Sequence, residues 1–198
     1  MPPQKIILIR HSETTQPGVY LGHEEPPLSE NGRDLLKALL IDTTKWKKPK
    51  IFVSPLIRAV QTAEILFPNN STIVDARLKE INFGEFGGKS FAEIKSKFPE
   101  KIELWANDFL SFNFPGGEGV AEFKNRVESF IDETLRQTEE SFVVVAHGGV
   151  IRFLICKLLN LPYDKHLSFV INRPSINVID LSEEFGSLSG LNINKLVI

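Results

Sequence analysis

Two short apolar runs, each followed by a histidine, constrain the fold of this chain more than any other feature. Residues 6–9 and 142–146 are entirely apolar and rich in β-branched side chains, the pattern of strands buried on both faces of a parallel sheet. The first run leads into His11 and the second into His147. Because ligands of open parallel sheets bind beyond the carboxyl ends of the strands, we expect both histidines at one crevice.

Patterns typical of strands and helices alternate along the rest of the chain. Helices are predicted for residues 30–41, from Ser54-Pro55 to Leu66, after a capping box at Ser90, for residues 102–110, over about five turns from Val120, and for residues 150–159. Further strands are predicted at residues 51–53, 71–74 and 176–181, with an edge pair within 188–197. We therefore predict an α/β fold, a three-layer α/β/α sandwich around a mainly parallel sheet. Residues 1–198 are expected to form one domain, with a small helical insertion at about 83–118 over the carboxyl ends of the strands.

Length, charge and cysteine content narrow the class of protein. The 198 residues suit one domain with an insertion, and a formal net charge of −2 gives no global field to hold nucleic acid or an anionic membrane. Neither is therefore an expected partner. The N-terminal apolar run is too short for a membrane span or a signal-peptide core, and one cysteine cannot form an internal disulfide. A cytoplasmic location is expected.

Five side chains expected at the crevice suit phosphoryl transfer. They are Arg10 and His11 after the first strand, Arg58 near a helix start, Glu80 in the next loop, and His147. Guanidinium groups match phosphoryl oxygens with a planar fork and keep a neighbouring imidazole neutral, hence nucleophilic. A protonated Glu80 can donate to the departing oxygen, and amides from Gly148 onward add donors at a helix N-terminus. Each residue alone has an ordinary structural explanation, and their joint placement is what favours a site.

Sequence motifs surround these residues. Leu8-Ile9-Arg10-His11-Ser12-Glu13-Thr14, Ser54-Pro55-Leu56-Ile57-Arg58-Ala59 and Ala146-His147-Gly148-Gly149-Val150-Ile151-Arg152 are joined by further motifs at 20–23, 27–32, 61–63, 78–84 and 115–119. Together they resemble the histidine phosphatase superfamily, also called phosphoglycerate mutase-like, over nearly the whole chain. The resemblance implies the fold of that superfamily and a phosphatase that works through phosphohistidine.

Matching by position assigns roles to the residues of the crevice. The resemblance makes His11 the nucleophile, Glu80 the proton donor, and Arg10, Arg58 and His147 the phosphate pocket. Contacts to substrate are also expected from Ser12, Gln16, Gly22 and Gly148.

Two positions depart from the family pattern. The glycine that usually follows the nucleophile is Ser12, which adds a side chain beside the pocket and is tolerable unless its φ is positive. The asparagine common six residues after the histidine is Pro17, so one expected phosphate donor is missing. Gln16 is a candidate substitute, although its register is off by one.

The motifs are most similar to those of the alpha-ribazole phosphatases of cobalamin biosynthesis, which implies alpha-ribazole 5′-phosphate as substrate. Aromatic residues near the insertion indicate a half-covered pocket for a small, partly apolar substrate, although each of them could equally belong to the core of the insertion. They are Phe83, Phe86, Trp105 and Phe114. No metal or other cofactor is expected, because the arginines and His147 would supply the positive charge.

Several alternatives stay open. A phosphoglycerate mutase needs a second anion site, for which lysines 89, 95, 97 and 101 are candidates unless they form a solvated face. A broad-specificity phosphatase, a protein phosphatase, and a non-catalytic phospho-ligand module with attack disabled are the others. His23 and His166 are expected to be structural or solvated, with His23 nearer the rim of the site. A C-terminal strand pair would offer an edge for a homodimer.

Overall fold

The computed structural model describes residues 4–42, 49–183 and 185–197. Its helices are α1 (Glu30–Lys37), α2 (Ile57–Leu66), α3 (Phe91–Lys97), α4 (Pro99–Asn107), α5 (Val120–Gln137) and α6 (Gly148–Leu158). Its strands are β1 (Gln4–Arg10), β2 (Leu40–Asp42), β3 (Lys50–Val53), β4 (Ile73–Val74), β5 (Phe142–Ala146), β6 (Ser175–Leu181), β7 (Gly186–Ile193) and β8 (Lys195–Val197). None of the described helices is long and apolar enough to cross a membrane.

Six strands form the main sheet in the order β4-β3-β5-β1-β6-β7. The pairings β3 with β4, β3 with β5, and β1 with β5 are parallel, whereas β6 runs antiparallel to both β1 and β7. The two apolar runs, β1 and β5, are thus neighbours at the centre of the sheet. Their carboxyl ends lie side by side, since Arg10 pairs with Ala146, and this register brings His11 next to His147.

Alternate residues of the central strands face different helical layers. Leu8 and Val144 belong to one core, which includes Phe123 and Phe130 of α5 and much of α6. Ile7, Ile9, Val143 and Val145 belong to another, which includes Ala59 and Ala63 of α2. Because strand side chains alternate between the two faces, a strand covered on both faces is apolar throughout. The predicted three-layer α/β arrangement is confirmed.

The first predicted helix is too long. Helix α1 ends at Lys37, and Leu40–Asp42 forms strand β2, parallel to β8. Leu36 is buried, but Leu40 is 59% exposed, so the apolar residues do not form one continuous helical face. The two C-terminal strands do not pair with each other as expected. Strand β7 pairs with β6 at the edge of the main sheet, whereas β8 pairs with β2. Long-range strand pairing decides both outcomes.

Helix α2 begins later than the Ser54-Pro55 pair predicts. Its N-cap is Leu56, which makes no side-chain capping bond, and its first residue is Ile57. The Ser54 hydroxyl instead lies 2.7 Å from His147 Nε2. Arg58 therefore stands at the second residue of α2, beside the carboxyl ends of β3 and β5.

Residues 83–118 contain α3 and α4 and an aromatic cluster. The capping box predicted at Ser90 is present, with Glu93 as its second member. Phe86 is fully buried at the centre of the cluster, where it contacts Phe98, Trp105 and Phe114. Phe86 thus belongs to the core of this segment.

Candidate active site

A cavity of about 540 Å³ lies beyond the carboxyl ends of β1, β3 and β5. Four of the five predicted site residues line it: Arg10, His11, Arg58 and Glu80. The fifth, His147, is fully buried beside the cavity, with its ring centroid 5.1 Å from that of His11. The topology of the sheet therefore brings the predicted constellation together.

His11 is held as a neutral imidazole. The residue is 4% exposed, and its Nδ1 lies 2.7 Å from the carbonyl oxygen of Ser12. Because a carbonyl only accepts, Nδ1 carries the proton and Nε2 keeps a free lone pair. Burial, followed by the positive charges of Arg58 and Arg10, holds the pKa of His11 well below its usual 6.5. The ring therefore has the protonation state of a nucleophile at neutral pH.

Ser54 orients His147. The Ser54 oxygen lies 3.4 Å from the backbone N–H of Leu56, which donates to it, and 2.7 Å from His147 Nε2. Because the Ser54 oxygen already accepts from Leu56 and its buried hydroxyl proton has no other acceptor among the described residues, we assign that proton to the bond with Nε2, which leaves the proton of the imidazole on Nδ1. Burial, followed by the charge of Arg58, holds the pKa of His147 well below 6.5. His147 is thus a neutral N–H donor.

Backbone carbonyls anchor both predicted arginines. Arg58 donates from Nη1 to the carbonyl of Glu24 at 2.6 Å and from Nη2 to that of Gly22 at 2.8 Å, and Arg10 Nη1 donates to Ile171. Neither has a carboxylate partner in the described part of the chain. Burial lowers the pKa of Arg10 to about 9 and that of Arg58 to about 10.

The buried polar side-chain atoms that lack a hydrogen-bond partner all lie at this site. Among the described residues they are Arg10 Nε, Ser12 Oγ, Arg58 Nε and His147 Nδ1. Buried donors are nearly always paired in folded proteins, and an orphaned donor costs about 1–3 kcal/mol. Three N–H donors and a hydroxyl without partners at one end of the sheet constitute a site prepared for an anion.

Hydrogen bonds to its side chain and to its backbone carbonyl hold Glu80 in place. Gly149 N–H donates to Oε2 at 3.1 Å, and the N–H of Ile81 donates to Oε1 at 3.1 Å. The Glu80 carbonyl accepts from His23 Nε2 at 3.0 Å and from Arg126 Nη2 at 3.1 Å. The carboxyl group is therefore fixed on the wall of the cavity that His11 also lines.

The two glycines after His147 allow this close approach. A Cβ on Gly148 would lie 3.0 Å from Arg10 Cζ, and one on Gly149 would lie 2.3 Å from Glu80 Oε1. Any side chain at either position would displace a group of the site. Glycine is therefore needed here for space at the start of α6.

The four residues predicted to contact the substrate differ in where they lie. Gly22 and Gly148 line the cavity, and Gly22 has a φ of +50°. Ser12 is fully buried with Oγ unpartnered, and its φ is not positive. Gln16 is exposed and does not line the cavity. Gln16 therefore does not stand where it could replace the donor lost at Pro17.

Among the described residues, two arginines and one histidine that line the cavity were not expected there from the sequence. Arg152, Arg173 and His166 line the cavity, whereas His23, which was expected nearer the rim, does not. His166 is 6% exposed and stacks on Phe109 with ring centroids 4.2 Å apart. Arg173 and His166 come from the segment before β6, which carries no motif.

One wall of the cavity is aromatic. Tyr20, Phe83, Trp105 and Phe114 all line it, in edge-to-face contacts with centroids 5.0–5.9 Å apart. We call these four residues the aromatic wall. Phe86 lies behind them and does not line the cavity, and neither do lysines 89, 95, 97 and 101.

Comparison with known proteins identifies the family. The model of the histidine phosphatase superfamily (branch 1) matches residues 6–194. This chain belongs to the histidine phosphatase superfamily. The predicted resemblance is confirmed, and the protein is a phosphatase of that superfamily.

Individual relatives carry two different substrate names. Phosphoserine phosphatase 1 of Hydrogenobacter thermophilus is 34% identical over 194 residues, which cover 96% of this chain and 92% of that protein. The adenosylcobalamin/alpha-ribazole phosphatase of Escherichia coli K12 is 28% identical over 193 residues, covering 95% of each. A crystal structure from E. coli K-12, assigned as an alpha-ribazole-5′-P phosphatase, superposes with a TM-score of 0.89 at 26% identity, over 99% of both chains.

Proposed function

We propose that this phosphatase hydrolyses a small phosphomonoester in two steps through a phosphohistidine at His11. The observation that carries the proposal is the neutral, buried His11 imidazole, which has a free Nε2 beside two guanidiniums. An anion bound at the orphaned donors of Arg10, Arg58 and His147 would lie next to that nitrogen. Geometry and protonation state thus favour attack on phosphorus.

In the first step, His11 Nε2 bonds to phosphorus while the ester P–O bond breaks, and a protonated Glu80 protonates the departing oxygen. In the second step, water attacks phosphorus and Glu80 accepts its proton. The N–P bond then breaks, and inorganic phosphate leaves. The guanidiniums and His147 neutralise the equatorial oxygens in both steps, so the reaction is proposed to need no metal ion.

Alpha-ribazole 5′-phosphate is the substrate that the cavity supports best. Its leaving group carries an aromatic benzimidazole, which the aromatic wall could hold by edge-to-face or offset stacking. The E. coli relative named after this compound supports the same substrate. Turnover of a flat, apolar leaving group is therefore expected to exceed that of a small polar one.

Phosphoserine is a second candidate, because the H. thermophilus relative with 34% identity bears the name phosphoserine phosphatase 1. In its favour, Arg152 and Arg173 lie in the same cavity and can attract a carboxylate. A phosphoglycerate mutase is less well supported, since none of the four lysines proposed for its second anion lines the cavity.

Phosphate release from a panel of esters in EDTA tests the proposed function. The panel holds alpha-ribazole 5′-phosphate, phosphoserine, 3-phosphoglycerate and p-nitrophenyl phosphate, with His11→Ala as the inactive control. We expect selective release from the first compound and loss of all release in His11→Ala. Release that stops in EDTA and returns with Mg²⁺ would contradict the metal-independent mechanism. No release by the wild type would favour a phospho-ligand binding module.

We further propose a cytoplasmic enzyme that can form a homodimer through β7. This strand ends the main sheet, and no described strand pairs with its outer edge. Unpaired strand edges can pair with a second chain. Light scattering after size-exclusion chromatography measures the mass, and a monomer at all concentrations would contradict the dimer.

A further inference from the structure

Arg173 lies where the register of the sheet places it beside the nucleophile. Strand β6 runs antiparallel to β1, and Ser175 pairs with Arg10. Two residues before Ser175, Arg173 therefore stands past the carboxyl end of β1, the end that leads into His11. The same loop contacts the site directly, since Arg10 Nη1 donates to the carbonyl of Ile171.

Arg173 differs from the other arginines that line the cavity in its hydrogen bonds to the described residues. Arg10, Arg58 and Arg152 each donate to at least one backbone carbonyl. Arg173 lines the same cavity, is half-buried, and makes no side-chain hydrogen bond or ion pair within residues 4–42, 49–183 and 185–197. No described residue pairs with any of its five N–H donors, and these can therefore bind a ligand.

The excess of positively charged side chains around the cavity favours an anion beside Arg173. Four guanidiniums and one carboxylate, that of Glu80, line it. After burial, Arg173 is the strongest influence lowering the pKa of Arg10, and it also lowers the pKa of His11 and of Arg58. Like charges held this close repel one another until an anion binds among them.

We propose that Arg173 binds a non-bridging oxygen of the substrate phosphoryl group, as a third guanidinium beside Arg10 and Arg58. This inference rests on the proposed function, because it assigns a contact within the same site. Pro17 has no N–H to donate, and Gln16 is exposed outside the cavity. Arg173 thereby supplies, from the segment before β6, a donor that the loop after His11 lacks.

Binding of inorganic phosphate tests the assignment without turnover. Isothermal titration calorimetry compares the wild type with Arg173→Ala, Arg173→Lys and the matched control Arg136→Ala, an exposed arginine in the last turn of α5. Loss of one charge-assisted contact should weaken phosphate binding about 10- to 100-fold in Arg173→Ala. Arg173→Lys should recover part of the loss, and Arg136→Ala should stay within about 2-fold. Equal binding by all four proteins would overturn the proposal.

Turnover distinguishes a phosphoryl contact from a contact to the leaving group. In Arg173→Ala, kcat/KM should fall by a similar factor for p-nitrophenyl phosphate and for phosphoserine. A loss confined to phosphoserine would overturn the proposal and assign Arg173 to the carboxylate. The melting temperature of Arg173→Ala should not fall, because a repelling charge is removed. Failure of the wild type to release phosphate would count against the proposed function, while the calorimetry would still test Arg173.

Discussion

The backbone N–H of Gly149 donates to Glu80 Oε2 over 3.1 Å, so the first turn of α6 holds the carboxyl group of Glu80 in place. The same helix begins directly after His147. One strand-to-helix junction therefore positions His147, the proposed phosphate donor, and, through a backbone amide, Glu80, the proposed proton donor.

Gly149→Ala should separate activity from stability. The added Cβ would lie 2.3 Å from Glu80 Oε1, and the end of a flexible side chain can move aside at little cost in folding. We expect kcat to fall at least about 10-fold, towards the value of Glu80→Gln. The free energy of unfolding should stay equal or rise, since alanine favours helices by about 1 kcal/mol over glycine. Urea unfolding and steady-state kinetics measure both, and an unchanged kcat would contradict the expectation that the space at Gly149 is needed to place Glu80 for catalysis.

The buried histidines should make stability depend on pH. The pKa values of His11 and His147 in the folded state lie well below 6.5, so below 6.5 the unfolded chain binds more protons. Stability is therefore fully present above that pH and is lost as pH falls towards the folded pKa values, by up to about 1.4 kcal/mol per pH unit for each histidine.

His147→Asn tests this dependence, because asparagine does not titrate. Urea unfolding of the variant between pH 7.5 and 5 should lose less free energy than that of the wild type. The other histidines are common to both proteins, so their contributions cancel. Equal losses would mean that His147 does not stay neutral in the folded state.

Arg126 should act on catalysis through the backbone of Glu80. Its Nε and Nη2 donate to both oxygens of Glu118 at 2.6 and 2.8 Å, and Nη1 and Nη2 also reach the carbonyls of residues 77, 79 and 80. Arg126→Met should lower the free energy of unfolding by about 2 kcal/mol, because buried acceptors lose a charged donor. It should also lower kcat, because the loop that carries Glu80 is released.

Glu133→Gln is the control for Arg126→Met. Glu133 pairs with Arg77 at 2.6 Å, but its side chain is 45% exposed. Exposed ion pairs contribute less than about 1 kcal/mol, so this variant should keep its kcat. A comparable loss of kcat in both variants would remove the positioning role of Arg126.

Trp105→Leu should change substrate preference. Trp105 belongs to the aromatic wall, whereas Phe98, the matched control, packs on Phe86 and does not line the cavity. We expect KM for alpha-ribazole 5′-phosphate to rise about 3- to 10-fold in Trp105→Leu, from the lost stacking. The KM of Trp105→Leu for phosphoserine should stay near the wild-type value. In Phe98→Leu, the KM values for both substrates should stay near those of the wild type. A uniform change for both substrates would contradict recognition by stacking.

The residues of the site that lie at the end of a strand could be predicted from the sequence. The apolar runs of β1 and β5 show where each strand ends. Arg10, His11 and His147 lie at those ends, so their position at the carboxyl edge of the sheet could be predicted from the sequence. The φ of Ser12 is not positive, so the backbone at this position can carry a side chain without strain. Glu80 and Arg58 depend on motifs, since neither ends a strand.

The remaining features depend on contacts distant in sequence. Ser54 resembles a helix cap, yet its hydroxyl lies beside His147, 93 residues away. Leu40 resembles a helical residue, yet its backbone pairs with β8. Arg173 reaches the cavity through the antiparallel register of β6, which no local pattern specifies. Pairing between distant segments, rather than local propensity, sets these positions.

Trapping the covalent intermediate is the most direct test of phosphohistidine formation at His11. The wild type and His11→Ala would be mixed with p-nitrophenyl phosphate in EDTA, quenched in alkali within milliseconds, digested, and analysed by mass spectrometry under conditions that preserve phosphohistidine. We expect a phosphoryl group on His11 that forms as fast as p-nitrophenol is released and is absent from His11→Ala. Turnover without any phosphorylated residue, or with phosphate on a residue other than His11, would contradict it.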